Sequence, residues 1–152
     1  METTFRRARR ADLEALVGML ADDILGARRE NAGPPLPRGY EDAFLAIDAD
    51  PNQELVVAER GGEPAGLLQI TFIPSLSYQG GWRALIEGVR VAAAVRAQGV
   101  GRAMLQHAIE RARQRGCHMV QLTADRRRRD AVRFYESLGF ESTHEGLKLF
   151  LG

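Results

Sequence analysis

The chain has a single cysteine, Cys117, so no disulfide can staple it from within, and a reducing compartment is the expected setting. Long apolar runs are missing too. No stretch approaches the roughly 18 residues of a membrane-crossing helix, and the start, Met1-Glu2-Thr3-Thr4-Phe5-Arg6-Arg7, lacks the apolar centre of a signal peptide. We therefore expect a cytoplasmic protein with no membrane partner. Excess charge of one sign is also absent: a net charge of +1 supplies no global field to draw in nucleic acid or lipid, so any electrostatic recognition must be local. The histidines, His107, His118 and His144, have no metal-ligand spacing with another His, Cys or paired carboxylate, and no metal is expected. Repeats, linkers and low-complexity tracts are lacking. What remains is ordinary globular composition, 45% hydrophobic and 27% charged over 152 residues. This suits one domain spanning residues 1–152 that buries roughly 68–70% of its unfolded surface.

Hydrophobic spacing orders the elements. Thr3 to Ala8 reads as a short strand, and Leu13, Leu16, Val17, Leu20 and Ile24 mark the buried face of a helix from Ala11 to Leu25 with Asp12 as its N-cap. Gly33-Pro34-Pro35-Leu36-Pro37 forbids helix. A second helix follows from about Tyr40 to Asp48. Glu54–Arg60 and Pro64–Ile73 read as strands joined at Gly61-Gly62, Pro74 to Gly81 turns, and Trp82–Val91 returns as a third strand. Gly99 to Gly116 is a long amphipathic helix, with Met104, Leu105, Ala108, Ile109 and Ala112 on one stripe and Gln106, Glu110, Arg113 and Gln114 opposite. His107 falls on its polar side. Cys117–Thr123 is the next strand, parallel to Trp82–Val91 across this helix. A short helix from about Arg129 to Leu138 and a last strand at Leu147–Leu151 close the chain. The fold class is α/β in the α+β sense: a mixed, mostly antiparallel sheet flanked by helices, with a central strand-helix-strand unit.

The chemistry gathers around Arg96-Ala97-Gln98-Gly99-Val100-Gly101-Arg102-Ala103, between the third strand and the long helix. Glycines one residue apart permit a tight turn with bare N–H groups, and the first helical turn adds unpartnered N–H groups at the positive end of the dipole. This is an anion seat. One dipole contact is worth about 0.3–1 kcal/mol, rising to roughly 2 kcal/mol when partly buried, so several donors must act together with Arg96 and Arg102, and a diphosphate is the natural ligand. A different nucleotide-binding fold using the same turn is the runner-up, and a dinucleotide fingerprint is weighed against because Met104 stands where a small residue is wanted and Ala92 to Gln98 separate the strand from the first glycine. A Walker loop is excluded by Arg102-Ala103, where Lys-Ser or Lys-Thr belongs.

The segment resembles the Arg/Gln-x-x-Gly-x-Gly/Ala signature of the GNAT superfamily of acetyl-CoA dependent N-acetyltransferases, through Arg96, Gly99 and Gly101. Ala131-Val132-Arg133-Phe134-Tyr135-Glu136-Ser137-Leu138-Gly139-Phe140 resembles that superfamily's Ala-x-x-Phe-Tyr-Glu-x-x-Gly-Phe segment. The two matches lie in the family's order, and the resemblance covers roughly residues 54–150. It implies acetyl-CoA as cosubstrate, held by Val89, Val91, Arg96, Ala97, Gln98, Gly99, Val100, Gly101, Arg102 and Ala103. It implies acetyl transfer to a primary amine by direct attack in a ternary complex. It also implies Glu87 as general base through water, the Val91 N–H as donor to the thioester oxygen, and Tyr135 as acid for the leaving thiolate. Family habit suggests a homodimer.

The residues leave alternatives. Glu87 reads equally as an outward-facing strand residue or a substrate anchor, and Tyr135 shares a helix face with Ala131, Phe134 and Leu138, as a core tyrosine would. Arg128 stands where the family often has asparagine, within Arg126 to Arg129, a run that fits either coenzyme phosphates or a solvated loop. Asp22, Asp23, Glu30 and Tyr40 are candidate contacts for a small-molecule or peptide amine. Tyr78 and Trp82 could line that pocket or a subunit contact. A non-enzymatic regulator or nucleic-acid binder using the arginine clusters at Arg6 to Arg10 and Arg126 to Arg129 is the competing function. Net charge near zero and the absence of a helix-turn-helix disfavour it.

Overall fold

The computed structural model describes every residue from Met1 to Gly152 and divides into two compact units, Met1–Gln121 and Leu122–Gly152. The larger unit begins with β1 (Thr4–Arg7), a short 3-10 turn (Arg10–Asp12), α1 (Leu13–Leu20), α2 (Ile24–Arg29) and α3 (Arg38–Ala49). It continues with β2 (Gln53–Arg60), β3 (Glu63–Pro74), the single turn α4 (Ser77–Gly80), β4 (Trp82–Val91) and a 3-10 turn at Ala93–Val95. Then come α5 (Val100–Gln114) and β5 (Met119–Leu122), whose last residue opens the second unit; α6 (Arg129–Ser137) follows there.

One five-stranded sheet has the order β1-β2-β3-β4-β5. Its first three pairings are antiparallel, with Phe5 opposite Ala58, Val56 opposite Leu68 and Ile70 opposite Ile86. The His118 N–H donates to the Trp82 carbonyl at 2.9 Å, tying the start of β5 to the start of β4. The two strands therefore run the same way, as a helical crossover requires. This mixed sheet with helices is the expected fold class.

Helices cover both sheet faces, so the central strands are apolar almost throughout. On one face Leu67 and Val57 pack with Leu16 of α1, Phe44 of α3 and Ala8. On the other, Met104 of α5 lies over Gly66, where an added Cβ would meet its Sδ at 2.6 Å and the Arg90 carbonyl at 2.8 Å. Glycine is what lets the helix and the neighbouring strand come this close. Val100, Met104, Leu105, Ala108 and Ala112 are buried along α5; Met104, Leu105, Ala108 and Ala112 belong to the stripe its periodicity predicts, while Ile109 of that stripe is half-buried. Arginines fasten the helix's far end: Arg115 sits 4.1 Å over the Phe72 ring and donates to Asn52 Oδ1 at 2.7 Å. No helix is long and apolar enough to cross a membrane.

The structure corrects three expectations. The helix expected over Ala11–Leu25 is broken, because Asp23 is extended and its side chain accepts the Gly26 N–H, starting α2 afresh. Ile24 is left 74% exposed. Asp12 precedes α1 without capping it; its carboxylate instead accepts the Arg9 N–H at 2.6 Å and both terminal nitrogens of Arg6 at 2.7 and 2.8 Å. The Leu147–Leu151 strand does not form: these residues carry no ladder. The neighbouring strand that would pair their backbone groups is not supplied.

In the second unit, α6 has no fully buried residue, and Tyr135 is half-buried against Phe134 and Phe140, at ring distances of 5.3 and 5.9 Å. Arg127 pairs with Asp125 at 2.7 Å and Arg126 with Glu145. These bonds from Arg127, through side chain and backbone, hold the Asp125 carboxyl well below the usual range. Arg128 directly precedes α6, and its N–H donates to the Asp125 carbonyl at 2.9 Å.

Candidate active site

Where β4 passes its middle, the ladder to β3 slips. Gln69 pairs with Glu87 and Leu67 with Arg90, so Gly88 and Val89 bulge against Leu68. Gly88 sits at φ +64, in the left-handed region that a bulge demands and that glycine adopts without strain. A glycine isolated in an apolar strand is a sequence signal for a bulge, and this one went unread. The bulge rotates the end of β4. Beyond it the Ala92 N–H donates to Ala65 O at 2.8 Å, so the neighbouring Gly66–Val91 pair is a non-hydrogen-bonded one. The Val91 N–H consequently points away from β3, toward the β5 side. From its start beside Trp82, β5 runs only to Leu122, level with the first half of β4, and does not reach Glu87–Val91.

Glu87 is exposed and shares a sheet face with its partner Gln69 and with Thr71. Gln69 and Thr71 both donate to Gln53 Oε1, at 2.9 and 3.0 Å, forming a polar strip on the face that carries Leu67 and α1. In the sequence Gln69 and Thr71 fall within the Pro64–Ile73 strand and carry no site signal of their own. The end of α1 closes over this strip: Leu20 Cδ2 lies 3.9 Å from the Cβ position of Gly88.

Past β4 the chain enters the glycine loop. Ala97 and Gly99 are both left-handed, at φ +62 and +83, and Gly99 leads straight into helical Val100, the left-handed-to-right-handed succession that makes an anion-binding nest of neighbouring N–H groups. Gly99 caps α5, and the first intrahelical bond runs from Ala103 N to Gly99 O at 3.1 Å. The N–H groups of Val100 and Gly101 precede it and have no intrahelical acceptor. Space above Gly99 is open, with nothing within 4 Å of its Cβ position. Gln98 is held by Arg60, which donates to its Oε1 at 2.7 Å. Arg96 donates to Asp22 Oδ2 at 3.1 Å, so the turn between α1 and α2 is fastened to the glycine loop. Sequence reading placed both residues at the site but did not pair them. Glu87, Val89, Val91 and Arg96 to Ala103 thus lie along one continuous run of the larger unit, while Tyr135 and Arg128 lie in the other.

Of the other acceptor candidates, Tyr40 donates to Glu30 Oε1 at 3.0 Å and Asp23 caps α2. Tyr78 is exposed and lies tilted against His118, 4.9 Å between centroids, and Trp82 is also exposed. Burial pushes the Cys117 thiol up, away from the thiolate that a nucleophile needs.

His107 is not on the polar side of α5. It stacks on Phe5, 4.4 Å between centroids, in a cleft of about 230 Å³ lined also by Arg6, Arg7, Glu54, Val56 and Arg111. Beside it Glu54 is 4% exposed and accepts from Arg111 at 3.0 and 2.6 Å. Burial alone would push the Glu54 carboxyl up, but Arg111, Arg7 and Arg115 outweigh it and hold the group below its ordinary range. Glu54 had been read only as the start of a strand.

Residues 21–140 match the model of the acetyltransferase (GNAT) family. The chain is 33% identical over 107 residues to the aminoalkylphosphonate N-acetyltransferase of Salmonella typhimurium, covering 70% of this chain and 69% of that one. Among solved structures, a Bacillus halodurans protein described as a transcriptional regulator is 55% identical, with TM-score 0.96 over 99% of this chain and 100% of that one. A putative acetyltransferase of Agrobacterium tumefaciens is 28% identical, with TM-score 0.80 over 97% and 99% of the two chains. This chain belongs to the GNAT acetyltransferase family. It is an acyltransferase of the N-acetyltransferase kind, with acetyl-CoA as its cosubstrate.

Proposed function

We propose that the diphosphate of acetyl-CoA is held by the main-chain N–H groups of Gln98 to Arg102, flanked by the Arg96 and Arg102 guanidinium groups. The observation that carries this is the curl at Ala97 and Gly99 with open space above it. Backbone donors facing one way at the positive end of a helix suit a diphosphate. Val89, Ala97 and Ala103 line the same run, and Arg128, standing where the family often has asparagine, is the candidate for a further phosphate contact in which charge replaces the amide. The bound cosubstrate supplies an acetyl thioester.

The Val91 N–H, turned from β3, serves as donor to the thioester oxygen as charge develops there. Glu87 takes the proton of the attacking ammonium through water. This matters because a lysine-like amine of pKa about 10.4 costs roughly 4–5 kcal/mol to deprotonate at pH 7. The amine N–C bond forms, the C–S bond breaks, and the leaving thiolate takes the Tyr135 phenolic proton, the role the family motif assigns to that residue. The elevated thiol of Cys117 speaks for direct attack without an acyl-enzyme. The acceptor is a small-molecule or peptide primary amine lying over Gln69, Thr71 and Glu87 beneath the α1–α2 turn.

Thiol release from acetyl-CoA across a panel of amines tests this. Glu87→Gln is expected to lower kcat/KM by about 10²–10⁴-fold. Tyr135→Phe should lower kcat by about 10²-fold or more with little change in KM for acetyl-CoA. Full activity in both variants would reject the assigned acid and base.

A regulatory role is the second reading, favoured by the description of the Bacillus halodurans relative. It predicts DNA affinity falling steeply with salt, whereas the enzyme reading predicts none at physiological salt.

A further inference from the structure

The two faces of the β3–β4 ladder are unlike. Ile70, Phe72, Ala84 and Ile86, which alternate onto the α5 side, are at most 2% exposed. The residues between them point the other way, and none of these is fully buried: Gln69, Thr71 and Ile73 on β3, and Arg83, Leu85 and Glu87 on β4. Residues paired across a ladder share a face, so the register Gln69–Glu87, Thr71–Leu85, Ile73–Arg83 joins them into one half-open band. At its Glu87 end the band passes beneath Leu20 of α1. At its other end the Ser75 N–H donates to Gly81 O at 3.0 Å, which carries the same register on to Ser75.

The two ends carry opposite charge. Glu87 stands at one, and Arg83, four residues earlier on the same face, stands about 13 Å away along the strand at the other. A half-buried guanidinium is normally answered by a carboxylate, as Arg6 is by Asp12 and Arg111 by Glu54. Arg83 is half-buried, donates from Nη1 to the neutral Ser75 Oγ at 2.6 Å and enters no ion pair. The hydroxyl aims the guanidinium without meeting its charge.

We propose that Arg83 anchors an oxyanion at the far end of the acceptor, so that the amine acetylated beside Glu87 belongs to an extended amino carboxylate or amino phosphonate. The position of the amine rests on the acetyl-transfer reading above. Carboxylate and phosphonate present the same acceptor oxygens, and the guanidinium fork suits both. Between the charges lie Leu85 and Ile73, apolar surface for the connecting methylene groups. An α-amino acid, with amine and carboxylate on one carbon, cannot reach both ends. Arg83 is thus a specificity-determining residue that neither family motif includes.

Thiol release from acetyl-CoA is compared for ε-aminohexanoate, ω-aminohexylphosphonate, hexylamine and glycine. One or both of the long anionic amines should exceed hexylamine and glycine by about 10–100-fold in kcat/KM, the worth of a charge-assisted hydrogen bond, and the better of the two identifies the oxyanion. In Arg83→Gln that ratio to hexylamine should fall to about one, and Arg83→Lys should restore part of it. Ser75→Ala, which removes the hydrogen bond and keeps the guanidinium, should retain the preference. Calorimetric titration of the same amines into the protein saturated with CoA reads the seat without turnover: the anionic amines should bind at least 10-fold more weakly to Arg83→Gln than to the wild type. Binding that depends on Arg83 with no amine acetylated would uphold the seat and reject the transfer reading. Acetylation of hexylamine as fast as of both anionic amines, or a preference unchanged in Arg83→Gln, would overturn the seat and leave the transfer reading standing.

Discussion

His107 shows how one side chain couples stability to pH. It was read from helical spacing as surface, yet it lies against Phe5 and beside the Glu54–Arg111 pair, because the edge of the sheet reaches under that side of α5. Burial lowers its pKa below the ordinary 6.5, partly countered by Glu54 and reinforced by Arg111. The unfolded chain therefore binds a proton first as pH falls. Stability is present above about pH 6.5 and declines as pH falls through the interval down to the folded-state value. Denaturant unfolding at several pH values should show this decline in the wild type and a flatter profile in His107→Gln. Equal slopes in the two proteins would assign the pH dependence elsewhere. At lower pH a second loss belongs to Asp12, whose carboxyl is held down first by the Arg6 hydrogen bonds and then by the Arg9 N–H. Its contribution is present above the unfolded value of about 3.9 and is lost as pH falls below it.

Between elements, the α5–β3 contact fixes the site. Met104 over Gly66 sets how closely the helix lies on the sheet, and the same helix presents Gly99 to Gly101 at its N-terminus. Gly66→Ala puts a Cβ against both a flexible sulfur and a rigid carbonyl, so the strands or the helix must shift. We expect a loss of about 1–3 kcal/mol in unfolding free energy, together with weaker acetyl-CoA binding because the helix mouth moves. Wild-type stability in Gly66→Ala would contradict this packing account. Elements of this kind were legible where periodicity and punctuation agreed. The limits of β4, the glycine stop of α5 and the hairpin at Gly61-Gly62 all follow from such local signals. The broken α1–α2 helix was not legible, because Leu13 to Ile24 keeps helical spacing straight through Asp22 and Asp23, and only the capping bond to Gly26 reveals the break. The Arg96–Asp22 and Arg111–Glu54 pairs escaped for another reason: each joins residues far apart in the chain, and spacing carries no signal of that.

Across the whole molecule, the two family motifs lie in different compact units, the glycine loop in Met1–Gln121 and the Tyr135 segment in Leu122–Gly152. The family match at residues 21–140 spans both. We propose that they work as one domain, and calorimetry should then record a single unfolding transition that acetyl-CoA raises as a whole. Two transitions, one of them indifferent to acetyl-CoA, would separate the units. The acceptor stayed beyond sequence because its contacts come from a turn, a polar strip inside apolar strands and a bulge, none of which shares a motif. The cofactor grip, by contrast, is a local device of backbone and glycine. It is tested most directly by following backbone amide resonances while acetyl-CoA is added. The expected result is saturating shifts at Gln98, Gly99, Val100, Gly101 and Val91; binding that saturates while these amides stay still would contradict the account.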